Sequence, residues 1–341
     1  MMLKKLITVF ATLGLMGCET IDGGLLNLNP DPDAAPAVEA ELAEESEMAA
    51  ASDNEAPLPD EVAVPEEQVR GPGVIIAEAG VDDWVPVDPE NTLYIDIPQG
   101  RIVVQLTPDL AQAHVKQVKQ LAREGYYDGL NFYRVVQGFV AQGGDESGDR
   151  RIRTAAPFMQ AEFDEPIPRG LAFTPLGNAD GYADQVGFIN GFPAGMSRRE
   201  RKVWLAHCTG AFAFGRGNER DSAATEFYIT LQPQRYLDRN LTVFGRVIWG
   251  MEHVQSITRG EPGNGGVIAD ATKWTPIRAF RVAADVPEQE RLQLETFNTN
   301  TDLFRELLEA RRNRPEAFFY YRPDFLDLCQ MPLPVRMTPN G

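Results

Sequence analysis

The segment Phe132-Tyr133-Arg134-Val135-Val136-Gln137-Gly138-Phe139-Val140-Ala141-Gln142-Gly143-Gly144-Asp145 constrains this chain more than any other. Its aromatic and β-branched residues suit a pleated, half-buried surface, and the glycine pair marks a bend or a close backbone approach. Arg134 and Gln142 interrupt the apolar run. A charged arginine is costly to bury in such a strand unless it is paired or put to use. Taken alone, Arg134 reads as an edge-strand residue in a surface ion pair; its neighbours overturn that reading.

Upstream, Leu93, Ile95 and Ile97 alternate with other positions, Pro98-Gln99-Gly100 supplies a turn, and Ile102–Leu106 continues as a second strand, so a β-hairpin is predicted. Thr107-Pro108 predicts a helix N-cap followed by proline in the first turn. Leu110, Ala111, Val115, Val118 and Ala122 fall at helical spacing, and Gly125 closes the helix.

Downstream, the segments run in a fixed order: Gly210-Ala211-Phe212-Ala213-Phe214-Gly215-Arg216-Gly217, Thr225-Glu226-Phe227-Tyr228-Ile229, Tyr236-Leu237-Asp238 and Leu241-Thr242-Val243-Phe244-Gly245-Arg246-Val247. With the opening run, these resemble the signature blocks of the cyclophilin family of peptidyl-prolyl isomerases. The resemblance covers about residues 90–284. It implies a mainly β fold, an eight-stranded antiparallel β-barrel capped by two helices, the second opening at Gly250-Met251-Glu252. Ile277–Val282 is the expected closing strand. A barrel of this size is filled by side chains, which puts the binding groove on its outside.

The resemblance also implies the chemistry. Rotation about a peptide C–N bond meets a barrier of about 18–20 kcal/mol. A catalyst of X–Pro rotation needs no nucleophile, metal or cofactor, only stabilisation of the twisted state in which the nitrogen lone pair localises. Arg134 matches the family's catalytic arginine, Gln142 the residue orienting it and the substrate, and Phe139 the aromatic beside them. Phe139, Val140, Tyr228 and Leu241 match the apolar proline pocket. Gly215 and Arg216 match the backbone edge that pairs with residues before proline, Tyr236 matches the rim aromatic, and Glu226 joins the substrate-binding set. Each also has a bland reading as barrel filler, strand-end partner or surface charge.

Departures from the pattern are Tyr133 for histidine, Val140 for methionine, Glu226 for glutamine, Leu241 for the pocket histidine, Arg216 for asparagine and Tyr236 for tryptophan. Glu226 raises the expectation that a carboxylate damps the field of Arg134 and slows turnover. Tyr236 implies weak cyclosporin binding, because the phenol does not place a donor where an indole N–H would be.

About 65 residues separate Asp145 from Gly210, roughly twice what a minimal member needs. The excess, about 146–206, is rich in Gly, Pro and Asn and is expected to be a long loop insertion beside the groove that adjusts substrate choice, or else surface decoration. After residue 284 an extension, 285–341, shows a helical pattern from Val286-Pro287 through Asp302–Arg312. Its aromatics Phe318-Phe319-Tyr320-Tyr321 and Phe325 are expected to pack on the barrel or to mark a partner surface.

Of the 341 residues, the first 17 read as an export signal: Lys4 and Lys5, then an apolar run Leu6–Leu15 too short to span a bilayer. Leu15-Met16-Gly17-Cys18 resembles the bacterial lipobox. The resemblance implies lipidation of Cys18, anchorage at a membrane surface facing the periplasm, and, from Glu19 in place of an inner-membrane retention aspartate, the outer membrane. Residues 18–72 are poor in aromatics and rich in Pro, Ala, Glu and Asp, which predicts an extended acidic tether. Between Glu19 and Arg70 stand fifteen acids and one base, so most of the net charge of −18 belongs to the tether. The isomerase domain is accordingly 73–284.

The acidity argues against a nucleic-acid partner. His114, His207 and His253 are not spaced as metal ligands, and neither metal nor cofactor is expected. Once Cys18 is lipidated, Cys208 and Cys329 remain, either paired or as two buried thiols. The leading expectation is a monomeric, membrane-tethered prolyl isomerase acting on proline-containing exported polypeptides. The alternatives are a weakly catalytic proline-peptide binder and an envelope scaffold.

Overall fold

The computed structural model describes residues 70–338. The expected signal segment, Cys18 and nearly all of the tether therefore lie outside the described residues. The described residues begin slightly before the expected domain boundary at residue 73. Pro72–Ala77 forms a short helix that buries Ile75, and Arg70 hydrogen-bonds Glu306 of the extension at 2.7 Å.

The predicted hairpin is present as β1 (Thr92–Ile97) and β2 (Gly100–Leu106), joined by a two-residue turn. Helix α1 (Gln112–Arg123) follows, and Gly125 lies just beyond its end at φ 66°. The helix starts later than the Thr107-Pro108 signal predicts. The Thr107 N–H donates to Phe244 O, so Thr107 prolongs the barrel ladder instead of capping a helix. The signature run folds as β3 (Asn131–Val135) and β4 (Val140–Gly144).

The insertion differs from the expected loop. It carries β5 (Gln185–Ile189), β6 (Phe192–Ser197) and β7 (Lys202–Leu205), the middle of a separate five-stranded antiparallel sheet. Asn190 and Gly191, at φ 47° and 83°, make the two-residue turn between β5 and β6. This is the Asn-Gly hairpin signal, masked by the surrounding Gly and Pro content.

The barrel resumes with β8 (Ala211–Phe214), β9 (Phe227–Thr230) and β10 (Val243–Trp249), then α2 (Met251–Gln255), β11 (Thr275–Pro276) and β12 (Ala279–Val282). Sheet order is β11-β3-β4-β9-β8-β10-β2-β1-β12. Consecutive β11 and β12 pair with β3 and β1 at opposite ends of that order. One bent strand thus closes the sheet, giving the eight strands expected. Phe132, Phe212, Phe227, Phe244 and Phe280 fill the interior, with Phe227 centred 5.4 Å from Phe212 and 5.6 Å from Phe280. Val118 and Leu121 of α1 and Val254 of α2 join the same core.

The insertion packs on the outside. Ile189, Phe192, Ala194, Met196, Val203 and Leu205 form one apolar layer with Val140, Ala213, Tyr228 and Val243 of the barrel. The sheet therefore backs the wall on which the groove residues stand.

In the extension, the stretch after Val286 is not a continuous helix. β13 (Leu294–Phe297) pairs on one side with Trp84–Pro86 and on the other with β14 (Val335–Met337), and α3 (Asp302–Asn313) lies between them in sequence. Thr301 caps α3 by accepting the Phe304 N–H. Phe304, Leu307 and Leu308 pack on Val186, Phe188 and Leu176 of the insertion, while Leu294 packs on Tyr94, Val103 and Ile248 of the barrel.

Phe318, Tyr320, Tyr321 and Phe325 are exposed, contrary to the packing expected of them. They follow the turn at Arg314, which has φ 36°, and the apolar anchors of this region are instead Leu326, Leu328 and Met331. Cys208 and Cys329 are joined in a disulfide, which ties the extension to the start of β8.

Candidate active site

Arg134 and Gln142 face each other across β3 and β4 because the ladder slips beside Tyr133, pairing Phe132 with Gly143 and Arg134 with Gln142. The bulge turns Phe132 into the core and leaves Arg134 half-buried on the outer face. The guanidinium is held from two sides. Nε donates to Gly265 O at 2.9 Å and Nη1 donates to Gln142 Oε1 at 3.0 Å. Its carbon lies 5.9 Å from the centre of the Phe139 ring. Burial, with no carboxylate among the described residues bonded to it, lowers its pKa from the usual arginine value, although Tyr133 and Tyr236 oppose the shift. A cation in such surroundings acts more strongly on a nearby lone pair than it would in water.

Two of the departures prove to be one feature. Gln142 Nε2 donates to the Tyr133 hydroxyl at 2.8 Å, and that hydroxyl donates to Glu226 Oε2 at 2.6 Å. Glu226 Oε1 accepts the Asp145 N–H at 2.7 Å. Glu226, expected to damp the field of Arg134, does not bond the arginine and reaches it only through Tyr133 and Gln142. Burial pushes the Glu226 carboxyl up from its ordinary value, against the lowering effect of these hydrogen bonds.

The glycine pair makes room for this arrangement. At Gly144, with φ 148°, a Cβ would sit 2.2 Å from Glu226 Oε1, and at Gly143 it would sit 3.0 Å from the Phe227 ring.

The remaining predicted residues gather around this centre. Phe139 and Tyr236 stack with ring centres 6.5 Å apart and planes at 19°. Tyr236 is 57% exposed, as a rim residue should be. Phe139 and Leu241 are partly open, whereas Val140 and Tyr228 are buried in the layer beneath the insertion and form the rear wall.

The Gly215 N–H donates to Glu226 O at 2.7 Å. Arg216 turns its guanidinium onto the carbonyls of Asn240 and Gly217, at 2.9 and 2.8 Å, and over the Phe163 ring. Its side chain braces the loop and leaves the main chain as the contact edge.

Sequence reasoning missed the support behind the pocket. The Tyr228 hydroxyl lies 3.0 Å from His207 Nε2, and His207 Nδ1 lies 3.0 Å from Asp238 Oδ1. Because a carboxylate only accepts, the His207 tautomer that donates from Nδ1 to Asp238 accepts from the Tyr228 hydroxyl at Nε2. Arg235 donates to Asp238 Oδ2 at 2.6 Å and to Asp180 of the insertion at 3.0 and 3.1 Å. A lone histidine in sequence gives no hint of this chain; Tyr133 was visible only as a departure.

A profile described as cyclophilin type peptidyl-prolyl cis-trans isomerase/CLD matches residues 92–278. A probable peptidyl-prolyl cis-trans isomerase of Brucella suis is 31% identical over 212 residues, covering 59% of this chain and 88% of its own. Peptidyl-prolyl cis-trans isomerase-like 1 of Homo sapiens is 27% identical over 176 residues, covering 52% and 82%. Among solved structures, the cyclophilin AquaCyp293 from Hirschia baltica superposes with a TM-score of 0.61 at 26% identity, covering 74% of this chain and 92% of its own. The Arg134 centre, the closed barrel and these relatives agree: the chain belongs to the cyclophilin-type peptidyl-prolyl cis-trans isomerase family.

Proposed function

We propose that Arg134 accelerates X–Pro rotation by presenting its guanidinium to the proline nitrogen as amide resonance is lost. Phe139, Leu241 and Tyr236 hold the proline ring, with Val140 and Tyr228 behind them. Gln142 fixes the guanidinium plane and is itself fixed by Tyr133 and Glu226. The observation that carries this reading is the double tether of Arg134, to Gly265 O and Gln142 Oε1, beside the Phe139 ring. An arginine whose hydrogen bonds go to neutral acceptors keeps its full charge for the transition state. In a protease-coupled or NMR exchange assay on the intact protein, Arg134→Ala is expected to lower kcat/KM by about 100-fold or more. Unchanged activity overturns the assignment.

The place of action we propose is the cell envelope, with Cys18 lipidated and the enzyme facing the periplasm at the outer membrane, acting on exported proline-containing chains. The signal-like residues 1–17 and Gly17-Cys18 support this, as does the Cys208–Cys329 disulfide, a bond at home in oxidising compartments. Metabolic labelling with palmitate should mark the wild-type protein and not Cys18→Ser; equal labelling of both refutes the anchor.

A further inference from the structure

A cavity of about 440 Å³ opens away from the groove, where the insertion, the barrel wall and the extension meet. Its lining is mostly apolar: Phe192 and Leu205 from the insertion, Val243 and Val247 from β10, and Leu328 and Met331 from the extension. One cation belongs to this lining, Arg246. The ladder sets it opposite Ala211 of β8 and Gln105 of β2, on the outer face of the barrel.

Arg246 has no hydrogen-bonded counterpart among the described residues. The residue as a whole is half-buried, but its Nε and Nη2 are sealed from solvent and neither meets an acceptor among the described residues; Gln105 Oε1 across the strand pair is sealed and unbonded too. The Phe192 ring centre lies 5.7 Å from the guanidinium carbon and covers part of the group. Burial alone pulls the Arg246 pKa down to about 10. A cation whose N–H groups are sealed and unbonded costs free energy unless something anionic meets it.

We propose that this cavity binds a small amphiphilic carboxylate, its head paired with the Arg246 guanidinium and its apolar chain laid along Phe192, Leu205 and Met331. A carboxylate matches the planar guanidinium fork with two parallel hydrogen bonds. The volume lies within the range of small-molecule sites, and the apolar walls favour an alkyl or branched body. A single cation suits a monoanion; a phosphate would bring a second charge into an apolar enclosure with nothing to meet it. A free fatty carboxylate and the C-terminal carboxylate of a peptide ending in leucine share this chemistry.

The test is calorimetric titration of the intact protein with octanoate, with octylamine, and with acetyl-Leu-Leu as its free acid and as its amide. Binding of octanoate or of the free-acid peptide, with no binding of octylamine or the peptide amide, is expected, and the acid that binds identifies the source. Arg246→Met should weaken that binding by about tenfold or more, and Arg246→Lys by less, because charge remains while the fork is lost. Arg246→Met should also hold or raise the melting temperature, since it removes an unpaired buried charge and breaks no hydrogen bond. X–Pro isomerase activity should stay within about twofold in both variants, because neither touches the groove. The proposal is overturned if neither acid binds, if Arg246→Met binds as well as wild type, or if Arg246→Met markedly lowers the melting temperature, which would make Arg246 a structural strut.

Discussion

Tyr133→Phe isolates the support of the catalytic centre from the centre itself. The substitution keeps the ring, which is buried, and deletes only the hydroxyl. Two hydrogen bonds go with it, one to the Glu226 carboxylate at 2.6 Å and one from Gln142 at 2.8 Å. A bond to a charged acceptor contributes about 1.5–3 kcal/mol and a neutral one about 0.5–1.5, so a stability loss of about 2–4.5 kcal/mol is expected.

The loss of activity should be smaller than for removal of the arginine, because Arg134 keeps Gly265 O while Gln142 loses its anchor. We expect kcat/KM to fall about tenfold, which is about 1.4 kcal/mol of transition-state stabilisation. Urea denaturation reads the first quantity and a protease-coupled X–Pro assay reads the second. If Tyr133→Phe lowers stability but leaves kcat/KM within about twofold of wild type, the guanidinium does not depend on this relay and the argument fails. A double-mutant cycle with Glu226→Gln sharpens the point, since residues bonded to one another should couple by about 0.5–3 kcal/mol.

Other consequences follow from the same geometry. Glu226→Gln leaves one oxygen, which can keep the Asp145 N–H while the amide NH2 donates to the Tyr133 hydroxyl and reverses that bond, so activity should stay near wild type; a clear rise would restore the idea that the carboxylate damps Arg134. Because burial raises the folded-state pKa of Glu226, its contribution to stability is fully present below the unfolded value and is lost as pH rises through the folded one. Melting curves should therefore show Glu226→Gln gaining on wild type as pH climbs from about 4 to neutrality, and a parallel pair of pH profiles would contradict this.

Gly144→Ala places a Cβ on the Glu226 carboxylate at a positive φ and should cost about 1–3 kcal/mol, read by chemical denaturation. His207→Ala leaves Asp238 and the Tyr228 hydroxyl without their shared partner. It should raise KM more than it lowers kcat as the rear wall of the pocket loosens, and an unchanged KM would show the wall to be rigid without it. Removing the Cys208–Cys329 bond releases a loop of 121 residues and should cost about 4–5 kcal/mol on the chain-entropy model. Thiol titration of unreduced protein should detect neither cysteine.

The barrel and the Arg134–Gln142 pair were legible in sequence, because alternation, turn residues and a motif in fixed order are local properties that survive in one dimension. The insertion was half legible: Asn190-Gly191 spelled a hairpin, yet the Gly and Pro around it resembled a loop. The solvent-facing aromatics Phe318, Tyr320 and Tyr321 show the converse, since hydrophobicity alone does not say which residues find a surface to cover.

Tertiary structure decided what the departures mean. Tyr133 and Glu226 lie 93 positions apart, and only the pairing of β4 with β9, which brings Gly143 beside Phe227, lets one hydroxyl serve both Glu226 and Gln142. The same holds for His207 between Asp238 and Tyr228, and for Arg246, an ordinary strand residue until the insertion and the extension close over it. Sequence determined which groups the chain carries and which strands hold them. Their charges and roles were set by burial and by partners from distant segments, because desolvation and hydrogen bonding depend on what lies within a few ångströms in space.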